Sequence, residues 1–527
     1  MSNADAQPAA ATPARGPELW APRISVAIAL LLALTYAFAG ASVGDFCLDD
    51  AWIHLAYAKS LRLGDGLSYN PGDWQTGFSS PAWALLLAAW PTEPEPVVAV
   101  KLLGALLHAG TAGLASAIAL DLVRARASVE RPLPAMSVAL LAGVLCATSP
   151  ALLQGASSGM EVPLTTCLLL ACIHASLREQ WLLAGVLGFA VELARPEALA
   201  ALLGFAVVLA LSRRKLAALA SVLGAGLGLA SWVLYCLAVS GWPWPNTAYV
   251  KAGPSELGTG LDYLVSQVLV WEPWVAGFGG VVLIAAALWT DLRDRGVLER
   301  APAKLEAPPV RRYELAALVV AYVAGVVGVA LSRPLEPGIL FYQARYFAIF
   351  AGLPPIVIAL GIARTHRVLS LVLVLPVALL LGLAIPTTAK IQRAQERGVA
   401  LLHAAPARFA GRELPEQAVI AVEGAGAMRY WTPRSMTMID VIGLNDAAIA
   451  HAPDDAGKAC VLVERAPGYF VLPEHIAGAL GSVFEMRVIE EFVDPAWAQI
   501  EEPREVRVLL LEVVGVRPRW AARCADL

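Results

Sequence analysis

Apolar runs long enough to cross a hydrocarbon core recur along most of the chain, and no other feature restricts its fold as much. A bilayer core about 30 Å thick takes about 20 apolar residues in helical form, because backbone groups away from water must be satisfied internally. Such runs fall near residues 24–43, 97–123, 135–154, 160–177, 181–194, 197–212, 216–240, 272–290, 314–332, 346–363 and 368–386, about eleven in all. The fifth and sixth are short for a full crossing, and Arg195-Pro196-Glu197 interrupts the stretch that holds them. Composition agrees, with 58% hydrophobic and 16% charged residues against about 25% charged in soluble domains. The expected class is an α-helical polytopic membrane protein whose transmembrane domain occupies residues 1–386.

Charge sets the orientation. A polar tail up to about residue 20 leads into Ile24–Val43, longer than a signal-peptide core and therefore read as a retained first span. With the N-terminus cytoplasmic, the inward loops carry Arg124, Arg126 and Arg131, then Arg178, then Arg213, Arg214 and Lys215, then a basic segment over 291–313, then Arg364 and Arg367. The outward short loops are poor in Lys and Arg, as the positive-inside rule asks. An odd number of spans sends residues 387–527 outside, together with the first outer loop, 44–80. The cell membrane is thus the expected location. The tail has β-branched runs at Val419–Val422, Cys460–Val463 and Val506–Val513, with a helical stretch near 473–481, which predicts an extracytoplasmic α/β domain. The net charge of −4 comes without a basic face, so the bilayer is a partner and nucleic acid is not expected to be one.

The seven cysteines form no CxxC pair, and neither a zinc nor a redox motif is present. Cys460 and Cys524 share the tail, and a disulfide between them depends on the compartment it faces. Gly224-Ala225-Gly226-Leu227-Gly228 lies inside a span and reads as helix packing. Glu423-Gly424-Ala425-Gly426 follows a strand but lacks the rest of a dinucleotide fingerprint.

Asp49 and Asp50 stand side by side where the chain first leaves the membrane on its outer side. Trp52, Leu55, Ala56, Lys59 and Leu63 follow helical spacing behind them, which predicts an amphipathic helix lying in the interface. Asp49 suits the N-cap of that helix, but a cap uses one carboxylate and not two. A carboxylate at this boundary can take the proton of an acceptor hydroxyl or hold a divalent cation through oxygen. His54 shares the helix face of Asp50, four residues on, where it can join a metal site or simply hydrogen-bond.

The segment from Asp49 through Gly64-Asp65-Gly66-Leu67, Asn70-Pro71-Gly72 and Gly77-Phe78-Ser79-Ser80-Pro81 resembles the first periplasmic loop of GT-C membrane glycosyltransferases, more closely the arabinofuranosyltransferase AftB-like branch. Ala82 stands where that branch has Leu, and Asp73-Trp74 departs from its acidic-basic pair. Further matches are Ser158-Gly159-Met160-Glu161-Val162-Pro163-Leu164, with Val for Thr, then Arg195-Pro196-Glu197, Pro245-Asn246-Thr247-Ala248-Tyr249-Val250-Lys251, Arg345-Tyr346 and Asp440-Val441-Ile442-Gly443-Leu444-Asn445-Asp446. They run in order over nearly the whole chain.

The resemblance implies an enzyme that moves a hexosyl or pentosyl group from a polyprenyl-phosphate donor to a cell-envelope glycan or glycoconjugate, with inversion. Asp49 and Asp50 are the implied catalytic residues, and the metal ligands if a divalent cation takes part. Lys251, Arg345, Tyr346 and Asn246 would meet the donor phosphate, a cation there stabilising the leaving charge. His54, Tyr57, Asn70, Glu161, Arg195 and Glu197 would line the substrate site, although Arg195 and Glu197 can equally close a turn. Asp440, Asn445 and Asp446 are polar candidates for holding an acceptor, or ordinary turn residues. The rival from another class is a transporter or flippase of a lipid-linked sugar, against which stands the absence of an internal repeat. A non-catalytic envelope scaffold would tolerate loss of both aspartates.

Overall fold

A computed structural model describes residues 20–39, 44–124, 134–210, 215–251, 284–285, 313–332, 345–363, 367–497 and 504–525. The membrane body is built from α1 (Trp20–Phe38), α4 (Pro96–Arg124), α5 (Ala135–Ala147), α6 (Pro150–Ser157), α7 (Val162–Leu177), α8 (Trp181–Ala194), α9 (Ala198–Ala210), α10 (Lys215–Ser240), α12 (Glu314–Ser332), α13 (Arg345–Ala348), α14 (Leu353–Ile362) and α15 (Arg367–Val399). Between α1 and α4 lie α2 (Asp50–Arg62), the β1–β2 hairpin (Ser68–Asn70, Asp73–Trp74) and α3 (Pro81–Ala89), and α11 (Asn246–Val250) follows α10.

The expected spans are modified in several places. The 135–154 run is two helices bent by 55°, because Pro150 opens a new helix capped by Ser149, whose hydroxyl accepts from the Leu152 N–H. The 346–363 run is split into α13 and α14, and α15 continues unbroken past residue 386 to Val399. Only residues 284–285 of the 272–290 run are among those described. Among the described residues, four helices are long and apolar enough to cross a membrane, or five if the bent pair is one span, beside shorter apolar helices at 162–177, 181–194, 198–210 and 353–362. The count of eleven is not confirmed, since Arg195-Pro196 and the bends leave several helices short for a crossing and most of the 272–290 run lies outside the described residues. Two of the 224–228 glycines do serve packing, since a β-carbon on Gly224 would collide with the Gly185 carbonyl of α8 and one on Gly228 would lie 2.8 Å from the Phe189 carbonyl, whereas Gly226 faces open space.

The C-terminal part contains a five-stranded sheet in the order β4 (Thr437–Asp440), β3 (Val419–Val422), β5 (Tyr469–Pro473), β7 (Arg504–Val516), β6 (Phe484–Trp497). β3 runs parallel to β4 and β5, whereas β7 is antiparallel to β5 and β6. Helices α16 (Ala405–Glu413), α17 (Ala425–Trp431), α18 (Ala447–Ala450), α19 (Asp455–Arg465), α20 (Glu474–Leu480) and α21 (Pro518–Ala525) complete this α/β unit. The strand expected at Cys460–Val463 is instead part of α19. Asp454 caps that helix by accepting from the Gly457 N–H at 2.7 Å, and Ala459, Cys460 and Leu462 form its buried face. Cys460 and Cys524 are joined in a disulfide.

Helix α2 is not an interfacial helix with one face in lipid. Trp52, Ile53, His54, Leu55, Tyr57 and Ala58 are all buried. Ile53, Tyr57, Tyr69 and Phe78 share a core with Ile420, Val422, Met428 and Met438, while Trp52 and Leu55 share another with Ala427 and Tyr430. Protein therefore takes the place that periodicity assigned to lipid and water.

Candidate functional site

Asp49 and Asp50 enter α2 with their carboxylates directed to different partners. Asp49 occupies the cap position with helical backbone angles and makes no side-chain cap bond to its own helix, so capping α2 is not its role. Its two oxygens accept instead from the first turn of α17, Oδ2 from the Gly426 N–H at 2.7 Å and Oδ1 from the Ala427 N–H at 2.8 Å. These N–H groups have no partner within their own helix, and the fit is close: a β-carbon on Gly426 would lie 2.7 Å from the Ile53 nitrogen and 2.9 Å from the Trp52 β-carbon. The strand-turn-helix that lacks a dinucleotide fingerprint thus receives a carboxylate from the chain itself.

Asp50 faces the membrane body. Its Oδ2 accepts from Lys251 Nζ at 3.1 Å and from the Arg345 guanidinium at 2.8 Å. Burial alone would disfavour its charge, but Lys251 and Arg345 outweigh that and hold its carboxyl well below the usual range. Behind this group, Arg195 pairs with the buried Glu161 and reaches Glu197 at 3.2 Å. Two guanidiniums approach the Tyr346 ring, Arg195 at 5.0 Å and Arg345 at 5.1 Å from its centroid. His54 Nδ1 lies 3.0 Å from the backbone oxygen of Asp50, and burial, opposed by Glu161, lowers its pKa and favours the neutral ring.

The structure therefore brings together Asp49, Asp50, His54, Glu161, Arg195, Glu197, Lys251, Arg345 and Tyr346. Three candidates stand apart as braces. Asn70 spans the edge of β4, donating to the Met438 carbonyl and accepting from the Met438 N–H, both at 2.9 Å. The Tyr57 hydroxyl donates to Asn445 Oδ1 at 3.0 Å. Asn246 is buried against the end of the 44–80 loop, its N–H donating to Thr76 Oγ1 at 3.1 Å. Asp440 accepts from the Ile442, Gly443 and Asn445 N–H groups, and Asp446 caps α18 and pairs with Arg465. These two aspartates and Asn445 hold turns and do not present an acceptor surface.

A metal fits this arrangement poorly. Among the described residues no group of three or more His, Cys, Asp or Glu side chains is placed to hold an ion. His54 turns to a backbone carbonyl, and both carboxylates are already engaged by N–H or cationic donors. Two acidic neighbours escaped the sequence reading. Asp45 Oδ1 accepts from the Phe46 N–H at 2.7 Å and from Trp52 Nε1 at 2.9 Å, yet burial pushes its carboxyl up to about 6. Glu396 forms a buried pair with Lys101 at 2.8 Å. His403, 3.8 Å from Asp49, was missed as well; no spacing in the sequence links it to the acidic pair.

A family described as a domain of unknown function, DUF8728, matches residues 389–514. No curated protein matches the chain significantly. Among solved structures, ArnT from Cupriavidus metallidurans in the apo state aligns over 92% of this chain and 97% of its own, at 12% identity and a TM-score of 0.55. The same protein bound to undecaprenyl phosphate aligns over 94% and 98%, at 13% identity and TM-score 0.54. The archaeal oligosaccharyltransferase AglB from Archaeoglobus fulgidus, in complex with an inhibitory peptide and a dolichol-phosphate, aligns over 88% and 70%, at 13% identity and TM-score 0.50. The fold is the one that ArnT and the archaeal oligosaccharyltransferase share. Within this fold the 44–80 loop, which carries the acidic pair, is enclosed between the helical body and the C-terminal sheet.

Proposed function

We propose that the chain is a membrane glycosyltransferase that moves a sugar from a polyprenyl-phosphate donor to an acceptor glycan or glycoconjugate at the outer face of the cell membrane, with inversion. The observation that carries this reading is the meeting of Asp50 with Lys251 and Arg345, which lie 201 and 295 positions away in sequence. Two cations converging on one carboxylate at the border of a helical body are suited to an anion that arrives from the bilayer. A donor phosphate would share Lys251 and Arg345 with Asp50, Arg gripping two oxygens and Lys acting as a point charge. As the bond to the sugar breaks, the same cations would stabilise the charge developing on the phosphate. Asp49, beside them but bound to backbone N–H groups, is the carboxylate left to take the acceptor proton.

The solved structures of similar fold that hold undecaprenyl phosphate or dolichol-phosphate favour a lipid-phosphate donor. The Cys460–Cys524 disulfide favours an oxidising, extracytoplasmic side for the C-terminal domain. The AftB-like motifs make a pentose such as arabinofuranose the first sugar to try. In the test, purified full-length protein is given a panel of polyprenyl-phosphate sugars, with and without EDTA, and release of lipid phosphate is followed. Turnover with at least one donor is expected, falling by about 100-fold or more in Asp49→Asn, with a raised donor KM in Lys251→Ala. Full activity in folded Asp49→Asn and Asp50→Asn proteins would reject the reading, as would donor translocation without cleavage.

A further inference from the structure

One more role, resting on the transfer reaction above, attaches to a histidine of the C-terminal domain. His403 lies in the π turn Ala400–Ala404 that interrupts the continuous helix between α15 and α16. An inserted residue of this kind re-aims the side chains around it, and such turns occur often at functional sites. The His403 side chain keeps 12% of its surface exposed, and its Nδ1 lies 3.8 Å from Asp49 Oδ1. That nitrogen is buried and has no hydrogen-bond partner among the described residues, an arrangement that costs roughly 1–3 kcal/mol. Room for the ring is kept by Gly424, where a β-carbon would collide with Nδ1 and sit 3.0 Å from Cε1. Trp497 packs at 6.0 Å between centroids. Glu423, in the turn before α17, is a further carboxyl near His403; burial raises its pKa and His403 opposes that rise.

We propose that His403 relays the proton taken up by Asp49. In the transfer step the acceptor hydroxyl oxygen bonds to the anomeric carbon. The bond from that carbon to the phosphate oxygen breaks, its electron pair leaving on the polyprenyl phosphate. The hydroxyl proton goes to Asp49. Each Asp49 oxygen already accepts a backbone N–H, a bond that is stronger to the ionised carboxyl, so a proton retained there weakens both. Passing it to His403 Nδ1 restores both, and the ring then gives a proton to water. The relay needs the tautomer that carries its hydrogen on Nε2. His403 acts through Asp49 and does not touch the sugar, so it is a positioning residue.

The test uses the full chain in the lipid-phosphate release assay. His403→Ala is expected to lower kcat by about 10- to 100-fold, at the low end of acid-base effects, while the donor KM stays within about twofold. Added imidazole restores part of that rate by refilling the space. Gly424→Ala leaves the histidine in the chain but drives its ring away, and should reproduce the loss of kcat. If His403→Ala fails to fold, His403→Gln, of similar size but unable to relay, and Gly424→Ala carry the decision. Wild-type kcat in His403→Ala or Gly424→Ala overturns the relay, and so does a loss that imidazole leaves unchanged. Absence of lipid-phosphate release by the wild type would defeat the transfer reading itself, whereas release by wild type and His403→Ala alike defeats only the relay.

Discussion

Adjacent side chains on a helix diverge by about 100°, so a pair of neighbouring aspartates at a helix start can address two separate partners. Asp50 reaches the cations of the membrane body and Asp49 the backbone of the C-terminal domain. The meeting of Asp50, Lys251 and Arg345 was legible in the sequence as three ionisable groups at the ends of apolar spans, where such groups are costly and tend to find partners. Asp45 and His403 were not legible, since nothing in their own neighbourhoods announces the burial or the 3.8 Å approach that distinguishes them. Asp45 makes a residue-level prediction. Its carboxyl sits at about 6 in the fold against 3.8 ordinarily, so the folded state holds the proton more tightly than the unfolded chain does. Stability contributed by this group therefore falls as pH rises from about 4 to about 6 and is level above that. Asp45→Asn should remove about 2 kcal/mol of the stability difference between pH 4.5 and 7, read from thermal unfolding of the solubilised protein at both values. An identical pH dependence in wild type and variant would count against this.

Single elements behaved as their local chemistry dictates wherever that chemistry was complete. The Val419–Val422 and Val506–Val513 runs became strands, and the 473–481 stretch became a helix over Glu474–Leu480. At Cys460–Val463 the β-branched run lost to the Asp454 cap and to a buried helical face, signals that outweigh four residues of strand propensity. Helix α2 was legible as a helix but not in its surroundings, because the pattern of Trp52, Leu55 and Ala56 cannot distinguish lipid from a protein partner made much later in the chain. Asn70 tests the contact between these parts. Asn70→Ala removes both bonds to Met438 and should cost about 2 kcal/mol, seen as a lower unfolding temperature with donor KM unchanged. Gly426→Ala is expected to be more severe, since its methyl group has no space beside α2. A Gly426→Ala protein that melts like wild type would show that the contact between α2 and α17 adapts freely.

At the scale of the molecule, the helical body and the sheet domain are joined through a loop that both enclose, so neither has a complete surface alone. The disulfide closes a separation of 64 residues, for which loop entropy gives about 4 kcal/mol. Cys524→Ser should lower the stability of the C-terminal domain by up to that amount, measured by its resistance to proteolysis, and reduction of the wild type should do the same. Equal resistance in oxidised and reduced protein would remove the disulfide from the stability of the domain. The bond between Asp49 and Gly426 spans 377 positions, and its length has a meaning during synthesis. At about 5–20 residues per second, the loop carrying the acidic pair leaves the ribosome roughly 20–75 s before the strand-turn-helix that receives it. For that interval Trp52, Leu55 and Tyr57 are newly made and uncovered. Nascent chains should therefore depend on a holding factor at the membrane until the last quarter of the protein arrives.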